Sequence, residues 1–403
     1  MNLTRGKMAV VLVLVSLAGA GYVAAKELAP APPRADPGRT ASSPDRAQPG
    51  PGSPGWDELR VSTRGWKTDF TKHTVPLSEF RGGGPGRDGI PPIDRPKFET
   101  VPQADAWLKP LEPVIQVQIG GDARAYPIQV LIWHEIVNDE VGGVPVAVTF
   151  CPLCNTAIVL DRRLDGQTLD FGTSGNLRHS DLVMWDRQTE SWWQQAGADG
   201  VVGELAGKRL EILPASIISW ADFRQQRPQG RVLSRDTGYN RDYGRNPYVG
   251  YDRVDQSPFL FEGNPDGRLA PKERVVAVSL GGEDAAYPFS VLSQRYVVAD
   301  RVGGRPIVVF WQAGAASALD AAVIPGGRDV GGTGVFVPEV DGRSLTFAWR
   351  DGAFVDAETG SQWTILGEAT SGPLSGKRLA PVVHADYFWF AWGAFKPDTR
   401  IFQ

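Results

Sequence analysis

The sequence predicts a mainly β protein, a β-rich α+β fold made of two homologous units in tandem with a few short helices. Three observations carry that prediction. Glycine and proline are abundant, 47 and 32 of 403 residues, as expected of a chain with many turns. Between them lie short runs of β-branched and aromatic residues, among them residues 144–150 and 156–160, of strand length and composition. The third is an internal repeat. Gly120-Gly121-Asp122-Ala123-Arg124-Ala125-Tyr126-Pro127 returns as Gly281-Gly282-Glu283-Asp284-Ala285-Ala286-Tyr287-Pro288, and Val141-Gly142-Gly143-Val144-Pro145 as Val302-Gly303-Gly304-Arg305-Pro306, both displaced by 161 residues. Farther on, residues 186–193 are echoed by 356–363 and residues 205–210 by 374–379.

The elements follow in order. Arg5 and Lys7 precede an apolar stretch over residues 8–25 that ends in Val23-Ala24-Ala25. It reads as an export signal or as an uncleaved N-terminal anchor. No cysteine lies near it, which excludes a lipoprotein anchor. Residues 26–55, rich in proline and glycine, read as a linker without a core. Residues 56–112 form an irregular leading segment, and in its stretch 81–98 glycine and proline exclude regular helix or central strand. There Asp88 and Asp94 read as turn residues rather than hard-metal ligands. The first unit spans residues 113–235: a hairpin with its turn at Gly120-Gly121, a helical turn in 128–133, and strands over 136–141, 144–150, 156–160 and 168–171. Residues 236–273 form a connection rich in Tyr, Arg and Asn. The second unit spans 274–403. Short helices are expected at 220–226 and 391–395.

With 42 basic and 46 acidic residues the net charge is -4, so no basic excess exists to neutralise phosphates and nucleic acid is not an expected partner. An envelope protein or a small ligand remains. A membrane enters only through an uncleaved N-terminal segment. The folded part is expected outside the cytoplasm, periplasmic or extracellular, with anchoring to the inner membrane as the variant.

The chemistry concentrates in residues 133–161. Both cysteines of the protein, Cys151 and Cys154, lie there with His134. No helical pattern follows Cys154, so the CxxC sits in a loop between strands and the fold is not thioredoxin-like, where a helix N-terminus would acidify the first thiol. In an oxidising compartment such a pair closes an inert disulfide, cycles redox equivalents or holds a metal. The metal reading takes Cys151, Cys154, His134 and His384 as ligands of copper or zinc, with copper the better match to an envelope protein. The redox reading needs only Cys151 and Cys154, with His134 or Glu135 as proton acceptor. In the third reading the chain is a non-catalytic envelope binding module. Asn155, His179, Tyr239, Arg245 and Asn246 are supporting candidates, the last three because polar recognition suits a long exposed connection. The repeat supplies an internal control: His134 falls on Arg295, Cys151 on Gln312 and Cys154 on Ala315. A scaffold that discards these side chains in its second copy does not need them for folding, which argues that the first copy uses them.

The motifs FCPLCNTA, GGPGRDGIPPIDRPKF, WHEIVND, SDLVMWDRQTESWWQ, RNPYVGY and FWFAWGAFKPDT resemble those of the bacterial and archaeal family of domain of unknown function 3179. The resemblance runs over residues 81–402 and covers both units. It implies a fold family and no particular reaction; members often carry glycine where Asn155 stands here.

Overall fold

The computed structural model describes Gly52 and residues 54–403. The expected export segment and most of the linker lie outside the described residues. Among the described residues no helix is long and apolar enough to cross a membrane.

Each unit begins with the predicted hairpin. In the first, Pro113–Ile119 pairs antiparallel with Asp122–Pro127; in the second, Arg274–Leu280 pairs with Glu283–Pro288. Ile119 faces Asp122 and Leu280 faces Glu283, so the 161-residue displacement is also the structural register. A short helix follows in each, Ile128–Leu131 and Phe289–Arg295. Next come the strand pairs Ile136–Val141 with Val144–Cys151 and Val297–Val302 with Arg305–Gln312. The turns between these strands need glycine in both copies. Gly142 and Gly303 have φ of 56° and 54°, and a Cβ on either would stand 2.4 or 2.2 Å from the carbonyl oxygen of Ile119 or Leu280. The two-stage sheet closes with Thr156–Asp161 in the first unit and Gly332–Val337 in the second.

The repeat continues in side-chain detail. Tyr126 Oη donates to Asp139 at 2.6 Å, and Tyr287 Oη to Asp300 at 2.8 Å. Trp193 Nε1 donates to the buried Asp186 at 2.8 Å, and Trp363 Nε1 to the buried Asp356 at 2.9 Å. The predicted late helices are Trp220–Gln226 and Trp389–Phe395. The leading segment is partly regular. Phe80–Gly82 pairs with Phe171–Arg178, and Phe98–Thr100 pairs with Arg231–Leu233. Asp88, at φ 51°, accepts from Trp185 Nε1, and Asp94 pairs with Arg187 at 2.9 Å; both serve this packing.

The units lie against each other through reciprocal elements. Ala215–Ser219 of the first packs on Gly332–Val337 of the second, and Ala385–Phe388 of the second packs on Thr156–Asp161 of the first. One apolar cluster runs from Ile115 and Phe150 through both cysteines to Phe388 and Trp389. Removing either unit would expose the other's core, and the cysteine loop lies at that seam.

Candidate metal centre

The strand Val144–Cys151 ends on the first cysteine, and Thr156, which faces Cys151 across the ladder, starts the return strand. The four residues between them turn through Asn155, whose φ of 53° and amide bond to Pro152 O close the loop. Asparagine tolerates that left-handed conformation, so Asn155 serves the turn. No helix follows, as the sequence predicts. Both cysteines are free and buried.

A third residue joins them. The strands Phe171–Arg178 and Asp181–Asp186 are linked by His179 and Ser180, with φ of 52° and 65°, the two left-handed residues of a tight hairpin turn. That turn delivers Asp181 to the thiols: one carboxylate oxygen and both Sγ atoms lie within 4.8 Å of one another. Its orientation is fixed by a relay of half-buried and buried groups. Glu79 holds Arg178 at 2.6 Å, Arg178 Nη1 donates to Gln194 Oε1 at 3.4 Å, and Gln194 Nε2 donates to Asp181 Oδ2 at 2.5 Å. The Ala196 amide adds a bond to Oδ2 at 3.0 Å. Oδ2 is thus occupied, whereas Oδ1 is buried and has no N–H or O–H donor; the thiols of Cys151 and Cys154 are the donors that face the carboxylate. A buried carboxylate oxygen served only by weak thiol donors is poorly compensated for the water it has lost.

Burial sets the protonation of the group. It pushes Asp181 up to about 6 and both thiols above their ordinary range. Glu135, immediately before Ile136–Val141, is pushed up to about 8 by burial and by the charge of Asp181. Four acidic groups therefore gather in one buried place, and burial favours the protonated form of each, least strongly for Asp181. The second unit covers them: the Phe388 amide donates to Cys154 O at 2.9 Å, and Tyr387 Oη donates to Ala196 O at 3.1 Å. Tyr251 of the connection lies against Phe388, and its hydroxyl is raised by burial.

The two histidines expected as ligands lie apart from the thiols. His134 Nδ1 bonds Pro91 O at 2.7 Å and its Nε2 bonds Tyr243 Oη at 2.6 Å, so both ring nitrogens are engaged. His384 bonds Val382 O through Nδ1 and is buried beside Ala157, Ser216 and Asp386. Neither joins the thiol–carboxylate group, whose third member is Asp181. His179 pairs with Glu79 at 3.2 Å. In the connection, Asn246 is buried and donates to Ala321 O at 3.1 Å, while Arg245 lies near Asp242 at 3.6 Å. Tyr239 is 46% exposed, with its ring against His134. The connection is a strap over the second unit that also pins His134 through Tyr243.

Sequence reasoning missed Asp181, although it lies inside the quoted motif SDLVMWDRQTESWWQ. The signal was an acidic residue opening a strand in which every position is buried, which strand alternation alone would not place inside.

Fold and site define a duplicated β-rich protein in which one copy carries a buried dithiol–carboxylate group. The model of the family described as Protein of unknown function (DUF3179) matches residues 87–399, and the chain belongs to that family. No curated protein and no solved structure matched.

Proposed function

We propose that Cys151, Cys154 and Asp181 hold a thiophilic divalent cation, with zinc the best match to the donors. The observation that carries this reading is the convergence of two buried Sγ atoms and a buried carboxylate oxygen of Asp181 within 4.8 Å of one another, with no N–H or O–H donor on Oδ1. Two thiolates and a carboxylate fit zinc, whereas a copper(I) site favours sulfur throughout. Binding would replace protons that burial otherwise retains, because the ligands must be deprotonated. The relay from Glu79 through Arg178 and Gln194 would hold the carboxylate in place, as outer hydrogen bonds do for metal ligands generally. The dithiol reading has less support. A thiol that attacks a partner needs access and an acidified thiolate, while both sulfurs here are buried and burial raises both thiols.

The test is metal analysis of the full chain purified without chelator, beside Cys151→Ser/Cys154→Ser and Asp181→Asn. About one zinc per chain is expected in the parent, none in the double variant and a weaker hold in Asp181→Asn. A metal-free parent whose cysteines cycle reversibly between dithiol and disulfide would overturn the reading.

A further inference from the structure

A second feature lies on the leading segment, where a groove of about 620 Å³ opens between residues 60–66, the loop 82–87 and the strand Phe171–Arg178. That volume is in the range of small-molecule sites and far exceeds what a bare ion needs. Its lining includes Arg60, Arg64 and Arg87, and no aspartate or glutamate among the described residues. Arg87 is held over the rings of Trp66 and Trp185, 4.4 and 3.5 Å from their centroids, and pairs with Glu190 at 3.2 Å. Arg60 has one exposed partner, Glu262 at 3.7 Å. Arg64 is exposed, and its guanidinium pairs with no described residue.

The glycine loop forms the opposite wall. Gly84 has a φ of 104° and needs glycine for its backbone. Gly82 and Gly86 do not: neither has a positive φ, and a Cβ built on either meets nothing within 4 Å. Neither backbone nor packing explains the missing side chains, which leave the groove open. The amides of Gly84, Gly86 and Arg87, three residues that line the groove, donate to no described residue. Asn176, only 8% exposed, also lines the groove.

We infer that this groove binds a small molecule bearing an oxyanion, a phosphate or a carboxylate, through Arg64 and Arg60, with the glycine loop admitting its body and Trp66 beside it. Arginine forks and backbone amides recognise such groups directly. The site is independent of the dithiol–carboxylate group and stands or falls without it.

Calorimetric titration of the full chain at low salt tests the proposal, with glucose 6-phosphate, glucuronate and uncharged glucose as probes. At least one anionic sugar is expected to bind, more weakly as salt rises. Arg64→Ala should weaken it about tenfold, and Gly82→Val should abolish it, both without a change in melting temperature. A preference for the phosphate or the carboxylate sugar identifies the anion. Failure of both anionic probes to bind the parent, equal binding of glucose, or undiminished binding in Arg64→Ala would overturn the proposal; because Arg64 is exposed, that variant remains informative even if Gly82→Val misfolds.

Discussion

The two units share a backbone and differ in what they hang on it. Glu135 and Tyr296 occupy the same place, with φ of 60° and 62°. Each takes the amide bond of the following ladder through its carbonyl, from Phe150 at 2.8 Å and from Trp311 at 2.9 Å. Left-handed backbone in a residue with a Cβ is often a mark of function, and Glu135 alone would suggest it. The second copy shows that the strain belongs to the architecture. What distinguishes the first unit is the side-chain set: Glu135 where the second has Tyr296, Cys151 where it has Gln312, Cys154 where it has Ala315. Gln312 donates to Asp222 at 3.1 Å, a packing contact across the seam.

The first test asks whether cysteines alone make the difference, a change of one whole metal equivalent if they do. Gln312→Cys/Ala315→Cys places a CxxC at the equivalent turn. This variant should bind no more metal than its parent, because the carboxylates beside that turn keep other donors: Asp222 accepts from Ser219 Oγ and Asp329 from the Gly314 and Gly331 amides. A second equivalent of bound zinc would show that the thiols suffice and that Asp181 is incidental.

The shared architecture should fail alike in both copies. Asp186 accepts from Trp193 Nε1 and from Thr189 N and Oγ1; Asp356 accepts from Trp363 Nε1 and from Thr359 N and Oγ1. Removing either carboxylate strands a buried indole N–H and frees a turn. Asp186→Ala and Asp356→Ala should each cost about 3 kcal/mol in urea unfolding. A large cost in one copy and none in the other would mean that the copies are not mechanically equivalent.

Their titrations should run in opposite directions. In metal-free protein Glu135, ordinarily near 4.5, is raised to about 8 by burial and by Asp181. The unfolded chain loses that proton first, so this contribution to stability is full at low pH and is lost as pH rises from 4.5 toward 8. His384 in the second unit, ordinarily near 6.5, is depressed by burial to about 4. There the unfolded chain gains the proton first, so stability is lost as pH falls from 6.5 toward 4. Glu135→Gln should therefore flatten the alkaline limb by on the order of 2 kcal/mol and leave the acid limb in place. Urea midpoints read across pH 4 to 8 decide it, and an unchanged alkaline limb would remove Glu135 from the account.

How much of this was legible in the sequence follows the same division. The duplication, the glycine turns, the late helices and the CxxC between strands all lie in local pattern, and for all but the CxxC a second copy of the pattern reinforced the reading. The ligand set was less legible because it is assembled from segments far apart in the chain. His134 is adjacent in sequence to Glu135, yet Pro91 and Tyr243 claim both its nitrogens. Asp181 comes from a hairpin 27 residues beyond Cys154, and only the packing of that turn against the cysteine loop reveals it. The groove was illegible for a related reason: glycines at 82 and 86 read as breakers of structure, and their open Cβ positions exist only in three dimensions.

The smallest expected effect separates turn from site at Asn155. Its φ of 53° is tolerable to asparagine, free to glycine and costly to alanine. A residue that serves only the turn predicts an order set by backbone: Asn155→Gly neutral within about 0.5 kcal/mol, Asn155→Ala destabilising by about 1 kcal/mol. Metal content should be the same in both, because neither change touches Cys151, Cys154 or Asp181. If Asn155→Gly kept its stability but lost metal, the side chain would have to act on the ligands themselves. The difference between the two units would then extend one residue beyond the cysteines.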